Sequence, residues 1–197
     1  MDLLPTLIIA ALAYLLGSVP FGIVMAKLFG LGDLRQIGSG NIGATNVLRT
    51  GHKPAAFLTL IGDAGKGALA VLIARWAVGE SGAGIAAIFA MLGHLYPIFL
   101  GFKGGKGVAT FLGTLLALSF PVGLAACAAW AVTAALFRVS SLSALVSAGL
   151  APVFTIYFYH WHGAVLVAIM AVLIFVKHSA NIQRLRDGSE PKIGQKK

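Results

Sequence analysis

Long apolar stretches separated by short polar ones dominate this chain and predict an all-α integral membrane protein. A hydrocarbon core about 30 Å thick needs roughly 20 apolar residues per helix, and only closed hydrogen-bonded structures such as helices can cross it. We therefore expect a seven-helix transmembrane bundle. Its segments are Leu4–Ala26, Ala55–Val78, Gly82–Leu100, Gly107–Leu118, Pro121–Phe137, Leu142–Tyr159 and Gly163–Val176.

The fourth of these segments, Gly107–Leu118, is the shortest. About a dozen helical residues rise only about 18 Å, which is too little to cross the core without tilting or thinning. This segment is therefore expected to be a short or re-entrant helix. A bundle of five spans is the main alternative.

Composition supports the membrane assignment. Of the 197 residues, 58% are hydrophobic and 11% are charged, whereas soluble domains carry about 25% charged residues. The first apolar stretch has no basic n-region and is interpreted as a retained span. The single cysteine, Cys127, lies in an apolar run and is expected to act as a small hydrophobic residue. With no repeat and no boundary evident, we expect one domain covering residues 1–197.

The net charge of +9 is placed unevenly along the chain. With an external N-terminus and seven spans, almost all Lys and Arg residues fall on the cytoplasmic side, as the positive-inside rule requires. The C-terminus is then cytoplasmic. Glu80, Ser119 and the interfacial cluster His160-Trp161-His162 fall outside. The positions of the basic residues are thus better explained by topology signals and anionic substrates than by nucleic-acid binding. No nucleic-acid partner is expected.

Three polar islands interrupt the apolar pattern, and all are predicted to face the cytoplasm. The first runs from Gly38 to Arg49, where Ser39 and Asn41 alternate with glycines. Glycine-flanked donors before a helix can bind phosphate, and Arg49 can close a bidentate clamp. The alternative is a tight turn in which serine and asparagine only cap a helix.

The second island is Gly-Phe-Lys-Gly-Gly-Lys-Gly at residues 101–107. Glycine N–H groups can close around an oxyanion, and Lys103 and Lys106 add two cations. The segment lacks the Ser or Thr that follows the lysine of a Walker A motif, so NTP hydrolysis is rejected. The alternative is an ordinary basic loop between two spans.

The third island runs from His178 to Glu190. If it is helical, His178, Asn181 and Arg184 share one face and offer an imidazole, an amide and a guanidinium to one ligand. A histidine at a helix end is, however, equally well explained as a cap.

Two further polar features lie within the predicted spans. Asp63 and Lys66 are three residues apart and are interpreted as a structural ion pair. His94 precedes the second island, where it either supports the glycine loop or is a buried core histidine.

Together, GSGNIGATNVLR, GHLYPIFLGFKGGKGVAT and HSANIQRLRDGSE make the chain similar to the bacterial membrane glycerol-3-phosphate acyltransferases of the PlsY type, which use acyl phosphate. The similarity covers nearly the whole chain and keeps the order of the three motifs. It implies transfer of a fatty acyl group from acyl phosphate to the 1-hydroxyl of sn-glycerol 3-phosphate, giving lysophosphatidic acid and phosphate. It also implies a multi-pass protein of the inner membrane, surrounded by lipid, which we expect to be a monomer.

The resemblance also suggests site residues. Catalytic roles would belong to His178, Asn181 and Lys106. Substrate binding would involve the glycerol phosphate on one hand and the acyl phosphate head with its developing oxyanion on the other. The residues that would share these contacts are Ser39, Asn41, Arg49, Lys103, Gly104, Gly105, Lys106, Gly107, Asn181 and Arg184.

The expected chemistry requires neither a cofactor nor a metal ion, and the sequence contains no cluster of metal ligands. The His-x4-Asp signature of other acyltransferases is absent. We therefore expect the glycerol hydroxyl to attack the acyl carbon directly, with its proton passing to the donor phosphate or to His178. A membrane carrier or channel for a phosphorylated anion is the alternative function, because it would use a similar basic, glycine-lined cavity.

Overall fold

The computed structural model describes residues 3–159 and 161–194. Within these residues the chain forms ten α-helices, two short 3-10 turns and no strand. The helices are α1 (Leu3–Gly17), α2 (Phe21–Leu28), α3 (Ala44–Leu48), α4 (Lys53–Val78), α5 (Glu80–Leu95), α6 (Val108–Leu118), α7 (Phe120–Phe137), α8 (Ser140–Phe158), α9 (Trp161–Lys177) and α10 (Ser179–Arg186). The side chains of the predicted interfacial cluster, His160-Trp161-His162, are not among those that the structure describes.

Each of the seven predicted apolar segments contains a helix, but not all are long enough to cross a membrane. Five candidate spans are present in the described residues, and a sixth results if α9 and α10, which meet at 63°, count as one broken span. The fourth segment, α6, has 11 residues. The all-helical membrane fold is confirmed, whereas the seven-span count is not.

The described residues divide into two compact units between Leu118 and Ser119. In the first unit, α1 packs on α5, and α4 packs on both α5 and α6. Small residues allow this close approach: a Cβ atom on Gly17 would lie 2.1 Å from the Ala90 carbonyl oxygen, and one on Gly113 would lie 2.1 Å from that of Ala64. Such small-residue contacts are typical of helix packing in membranes, where dispersion replaces the hydrophobic effect.

The first span is broken between Gly17 and Phe21, where Pro20 interrupts the helix. The break leaves the Val19 carbonyl without a helical partner, and the Lys66 ammonium donates to it at 2.7 Å. A buried lysine from α4 thus satisfies a backbone group that the bilayer could not.

The far end of α6 is capped by Arg75 of α4. Its guanidinium donates to the carbonyl oxygens of Ala117 and Leu118 and pairs with Glu80 at 2.6 Å. The last carbonyls of a helix need external donors. Arg75 therefore allows α6 to end after only three turns.

In the second unit, α8 packs on α7 and α9. Ser147 of α8 donates a hydrogen bond to the Ala126 carbonyl of α7 at 2.7 Å, an interhelical contact suited to an apolar environment. The segment after α10 folds back, and the Ile193 N–H donates to the Arg138 carbonyl at 2.6 Å. The C-terminal segment is therefore part of this unit as far as residue 194.

Candidate functional site

The first polar island is organised by a residue that the sequence reasoning gave no role. Asn46 is only 1% exposed. Its Oδ1 accepts from the Ser39 N–H at 3.1 Å, the Ser39 hydroxyl at 3.4 Å and Arg49 Nη1 at 3.3 Å. Its Nδ2 donates to the carbonyls of Leu34 and Ile37 at 2.9 and 3.0 Å.

The backbone around Ser39 depends on glycine. Gly38 and Gly40 have φ values of +54° and +68°, where other residues are strained. A Cβ atom on Gly38 would also lie 2.6 Å from Asn46 Oδ1. Ser39 itself is exposed, whereas Asn41 and Arg49 are half-buried. The structure thus brings the predicted clamp residues Ser39 and Arg49 together through one buried amide.

The signal that could have revealed Asn46 is its position. It lies in α3, a helix of five residues that begins directly after Gly43. A helix this short leaves many backbone groups to be satisfied from outside. A buried asparagine with acceptor and donor on one planar group suits that need.

The second island is a loop anchored by its backbone. The N–H groups of Phe102 and Lys103 donate to the carbonyls of Pro97 and Leu100, at 2.9 and 3.3 Å. The Gly105 N–H donates to the His94 carbonyl at 3.2 Å. The Gly105 amide is therefore turned towards the protein. The predicted anion site would have to use the amides of the other glycines.

Glycines are nevertheless required in this loop. Gly101 and Gly107 have φ values of +58° and +83°. Gly104 and Gly105 are pressed against His94: a Cβ atom on the former would lie 2.2 Å from the His94 carbonyl oxygen, and one on the latter 2.3 Å from His94 Nε2.

Positive charge in this loop lies close to a helix N-terminus. Lys103 is exposed and Lys106 is half-buried. Helix α6 begins at Val108, immediately after Gly107. The two ammonium groups and the positive end of α6 therefore belong to one short stretch of chain, the combination that favours anions.

Both islands lie at the same end of the first unit. Helices α4 and α5 are joined by Gly79 alone and pack on each other, so they run in opposite directions. The first island precedes the start of α4 and the glycine loop follows the end of α5. The hairpin thereby places the first and second islands, both predicted to bind anions, on one side of this unit.

Beneath the glycine loop, the predicted ion pair is confirmed and extended by a third residue. Lys66 Nζ lies 2.9 Å from Asp63 Oδ1, and His94 Nδ1 lies 3.5 Å from the same oxygen. All three side chains are at most 5% exposed. Thr110 of α6 donates to the Asp63 carbonyl at 2.8 Å. His94 is thus both buried and in contact with the loop, as the two sequence interpretations separately proposed.

The third island belongs to the second unit and is built around a carboxylate. Glu190 accepts hydrogen bonds from the Ser141 hydroxyl, Asn181 Nδ2 and Arg184 Nε at 2.7, 2.6 and 2.7 Å. Helix α10 therefore does place Asn181 and Arg184 on one face, as predicted. His178, the third member of the predicted stripe, lies just before the helix as its N-cap residue. No role was predicted for Glu190 from the sequence.

His178 lies at the start of α10 and is 2% exposed. Its Nδ1 is 2.8 Å from the Ile174 carbonyl oxygen. A carbonyl can only accept, so Nδ1 carries the hydrogen in this arrangement. The neutral ring then has Nε2 as its basic atom.

The electrostatics of this island follow from the contacts of Glu190. Burial raises the pKa of its carboxyl group, but hydrogen bonds from Ser141, Asn181 and Arg184 and the charge of Arg184 outweigh burial, so the pKa is lowered. Glu190 is therefore ionised at neutral pH. Among the described residues, no three His, Cys, Asp or Glu side chains come together as metal ligands would.

Comparison with known proteins gives one consistent result. Residues 7–188 match the family model described as glycerol-3-phosphate acyltransferase. The chain is 66% identical to a glycerol-3-phosphate acyltransferase of Jannaschia sp. (strain CCS1), over 94% of this chain and 92% of the relative. It is 60% identical to one of Cereibacter sphaeroides (strain ATCC 17025), over 98% and 92%.

Solved structures agree with these relatives. The fold is similar to the crystal structure of PlsY, an integral membrane glycerol 3-phosphate acyltransferase, in its glycerol 3-phosphate form. The TM-score is 0.90, the identity is 39%, and 96% of each chain is covered. The lysophosphatidic acid form gives a TM-score of 0.89 at 38% identity, covering 96% of this chain and 95% of the other. On sequence and on fold, this chain belongs to the glycerol-3-phosphate acyltransferase family.

Proposed function

We propose that this protein transfers a fatty acyl group from acyl phosphate to the sn-1 hydroxyl of glycerol 3-phosphate in phospholipid synthesis. The observation that carries the proposal is the agreement with PlsY along nearly the whole chain. That relative was solved in forms named for glycerol 3-phosphate and for lysophosphatidic acid. These are the acceptor and the product of the proposed reaction.

The reaction is balanced without a cofactor. The glycerol oxygen forms a bond to the acyl carbon, the bond between that carbon and the phosphate oxygen breaks, and phosphate leaves with the bonding electrons. The hydroxyl proton passes to the leaving phosphate or to His178 Nε2. Because a mixed anhydride is already activated, the protein has chiefly to position two anions and offset their repulsion.

The contacts at the first island support a role in holding glycerol phosphate. Asn46 sets the separation of the Ser39 hydroxyl and the Arg49 guanidinium, which are both suited to a phosphate. We assign these two residues and Lys106 to that phosphate, and Asn41 to a glycerol hydroxyl. Asn181 and Arg184, in the second unit, are assigned to the same substrate on the family resemblance.

The glycine loop is assigned to the acyl phosphate head. The positive end of α6 and the Lys103 ammonium favour an anion there. Gly104 and Gly105 let the loop lie close to the protein, and Gly107 supplies a positive φ. None of the three presents a side chain to an approaching phosphate. His178 is assigned to orienting the glycerol hydroxyls, with the donor phosphate as the preferred proton acceptor.

The activity is tested with detergent-purified protein, palmitoyl phosphate and glycerol 3-phosphate. We expect lysophosphatidic acid and phosphate to form in equal amounts. Palmitoyl-CoA and palmitoyl-acyl carrier protein should be poor donors, since the proposed donor site is a short glycine loop suited to a small phosphate head. Turnover with palmitoyl-CoA comparable to that with palmitoyl phosphate would contradict the proposed donor.

The clamp is tested by Lys106→Ala. Removing a buried charge-assisted contact to a substrate anion costs about 3 to 5 kcal/mol, so kcat/KM should fall about 100-fold or more. The matched control is Lys27→Ala, which removes a lysine from an exposed position in the first unit. A folded Lys106→Ala enzyme with wild-type kinetics would remove Lys106 from the clamp.

We also propose the finer topology: seven segments, an external N-terminus, a cytoplasmic C-terminus and an inner-membrane location with the site facing the cytoplasm. The basic residues support it, because Arg35 and Arg49 precede α4 and Lys53 begins it, whereas Glu80 begins α5. In a Cys127→Ala background, an impermeant thiol reagent should label a cysteine at position 80 from outside and one at position 51 only from inside. The single-domain organisation and the monomeric state stay predictions.

A further inference from the structure

We propose that His94, held by Asp63, is the positioning residue that sets the shape of the glycine loop. The inference rests on the proposed function of that loop as a phosphate site. His94 occurs near the end of α5, whereas the loop begins seven residues later, at Gly101. The residue touches the loop in two places, once through its backbone and once through its ring.

The backbone contact fixes where the loop passes. The His94 carbonyl accepts the Gly105 N–H at 3.2 Å, and it would lie 2.2 Å from a Cβ atom on Gly104. The ring contact fixes how closely the loop approaches. His94 Nε2 would lie 2.3 Å from a Cβ atom on Gly105, so the imidazole packs directly against that glycine.

The ring is held in turn by buried charge. Its Nδ1 faces Asp63 Oδ1 at 3.5 Å, and Lys66 Nζ lies 2.9 Å from the same oxygen. Lys66 also donates to Val19 at the break in the first span. A carboxylate and an ammonium buried in a membrane helix are costly unless they are paired and put to use. Here their network connects α4 and the broken first span to the ring beneath the loop.

This arrangement predicts a specific steric relationship. Gly105→Ala should collide with a side chain, whereas Gly104→Ala should collide with backbone oxygens, since Leu95 O would lie 2.7 Å from its Cβ. Only the first collision can be relieved by shortening His94. His94→Asn is the suitable partner, because its amide reaches the position of Nδ1 towards Asp63 but lacks the ring atoms that face Gly105.

The experiment compares Gly105→Ala, Gly104→Ala, His94→Asn and the two double variants with wild type. KM for palmitoyl phosphate and for glycerol 3-phosphate, and kcat, are measured for each. Overpacking of this kind should raise at least one KM about tenfold or more. A loop that binds phosphate in both the ground and transition states should change KM more than kcat. Gly105→Ala/His94→Asn should recover most of the loss, whereas Gly104→Ala/His94→Asn should not.

Equal or greater loss in Gly105→Ala/His94→Asn than in Gly105→Ala would overturn the proposal, as would a normal KM in folded Gly105→Ala. If Gly105→Ala does not fold, His94→Ala decides: a raised KM with little change in kcat supports the role, and an unchanged KM refutes it. Folding is judged by size-exclusion profile and thermal unfolding in detergent. A wild-type protein that forms no lysophosphatidic acid would instead refute the proposed function.

Discussion

Two carboxylates organise the two units, and they do so differently. Asp63 lies in the middle of α4 and contacts a lysine and a histidine, neither of which is assigned to a substrate. Glu190 lies after the last helix and is contacted by Asn181 and Arg184, which are both assigned to glycerol phosphate. Asp63 contacts residues that lie beneath the glycine loop, whereas Glu190 contacts two proposed substrate-binding residues directly.

The difference shows how the same chemical group can stabilise a fold or preset a binding site. At Asp63 a buried carboxylate pairs with Lys66 and faces His94. Its loss should lower stability first, and should reach the glycine loop only indirectly, through His94. At Glu190 a side chain that is 7% exposed accepts hydrogen bonds from the Asn181 amide and the Arg184 guanidinium and so helps to fix their positions. Its loss should be felt in stability and in substrate affinity together.

The largest expected effect is that of Asp63→Leu. It leaves Lys66 charged and buried without its partner, and breaking a buried pair in this way costs about 3 to 5 kcal/mol. We expect a marked fall in the thermal unfolding temperature in detergent. The matched variant is Asp63→Leu/Lys66→Met, which removes both charges and should recover much of the loss. Recovery should be incomplete, because Lys66→Met also removes the donor to the Val19 carbonyl. A double variant less stable than the single variant would contradict the expected cost of an unpaired buried charge.

Glu190→Gln should have a smaller effect, because its shape and part of its hydrogen bonding remain. A hydrogen bond to a charged group contributes about 1.5 to 3 kcal/mol, and the lower value is appropriate since Arg184 is 36% exposed. We expect lower thermal stability together with a raised KM for glycerol 3-phosphate. A change in stability with an unaltered KM would show that Glu190 does not influence substrate binding.

The same variant should respond differently to pH. The folded protein lowers the pKa of Glu190, so its ionised form stabilises the fold fully above the ordinary glutamate pKa of about 4.3. That stabilisation is lost as the pH falls through the lowered pKa. The stability difference between wild type and Glu190→Gln should therefore be constant near neutrality and narrow in acid, as measured by thermal unfolding. A difference that widens in acid would contradict the sign.

The smallest expected effect is that of Ser141→Ala. It removes one hydroxyl donor to Glu190 but leaves the Asn181 and Arg184 contacts. A single hydrogen bond contributes about 1 kcal/mol. We expect a small loss of thermal stability and little change in kcat. An effect as large as that of Glu190→Gln would mean that Ser141, rather than the two proposed ligands, is the main anchor of the carboxylate.

Features with a local signal were predicted from the sequence. Hydrophobic runs are set by the bilayer, so the helical membrane fold followed from them directly. The Asp63–Lys66 pair was recognised because both residues belong to one helix at a spacing that makes them neighbours. The helical face of Asn181 and Arg184 was found for the same reason.

Features that depend on contacts distant in the chain were not predicted. His94 meets Asp63 because both lie at nearly equal distances along the chain from Gly79, the turn of the α4–α5 hairpin. That relation becomes visible only once the turn is known. Asn46 was missed because most of its partners lie before α3, in a segment without helical periodicity. Glu190 was missed because it lies itself in the irregular segment after α10, where no periodicity relates it to Ser141, Asn181 or Arg184.

The Arg75 cap at the end of α6 has a consequence for the surrounding lipid. Eleven helical residues rise about 16 Å, roughly half of a hydrocarbon core about 30 Å thick. In the proposed topology the glycine loop lies at the cytoplasmic surface, and the guanidinium and the carbonyls of Ala117 and Leu118 would then draw the polar boundary of the outer leaflet inward. A protein with such hydrophobic mismatch should prefer thin bilayers. We therefore expect it to unfold at higher temperature in nanodiscs of short-chain lipids than in those of long-chain lipids, and its own acyl products would help to set the thickness it experiences.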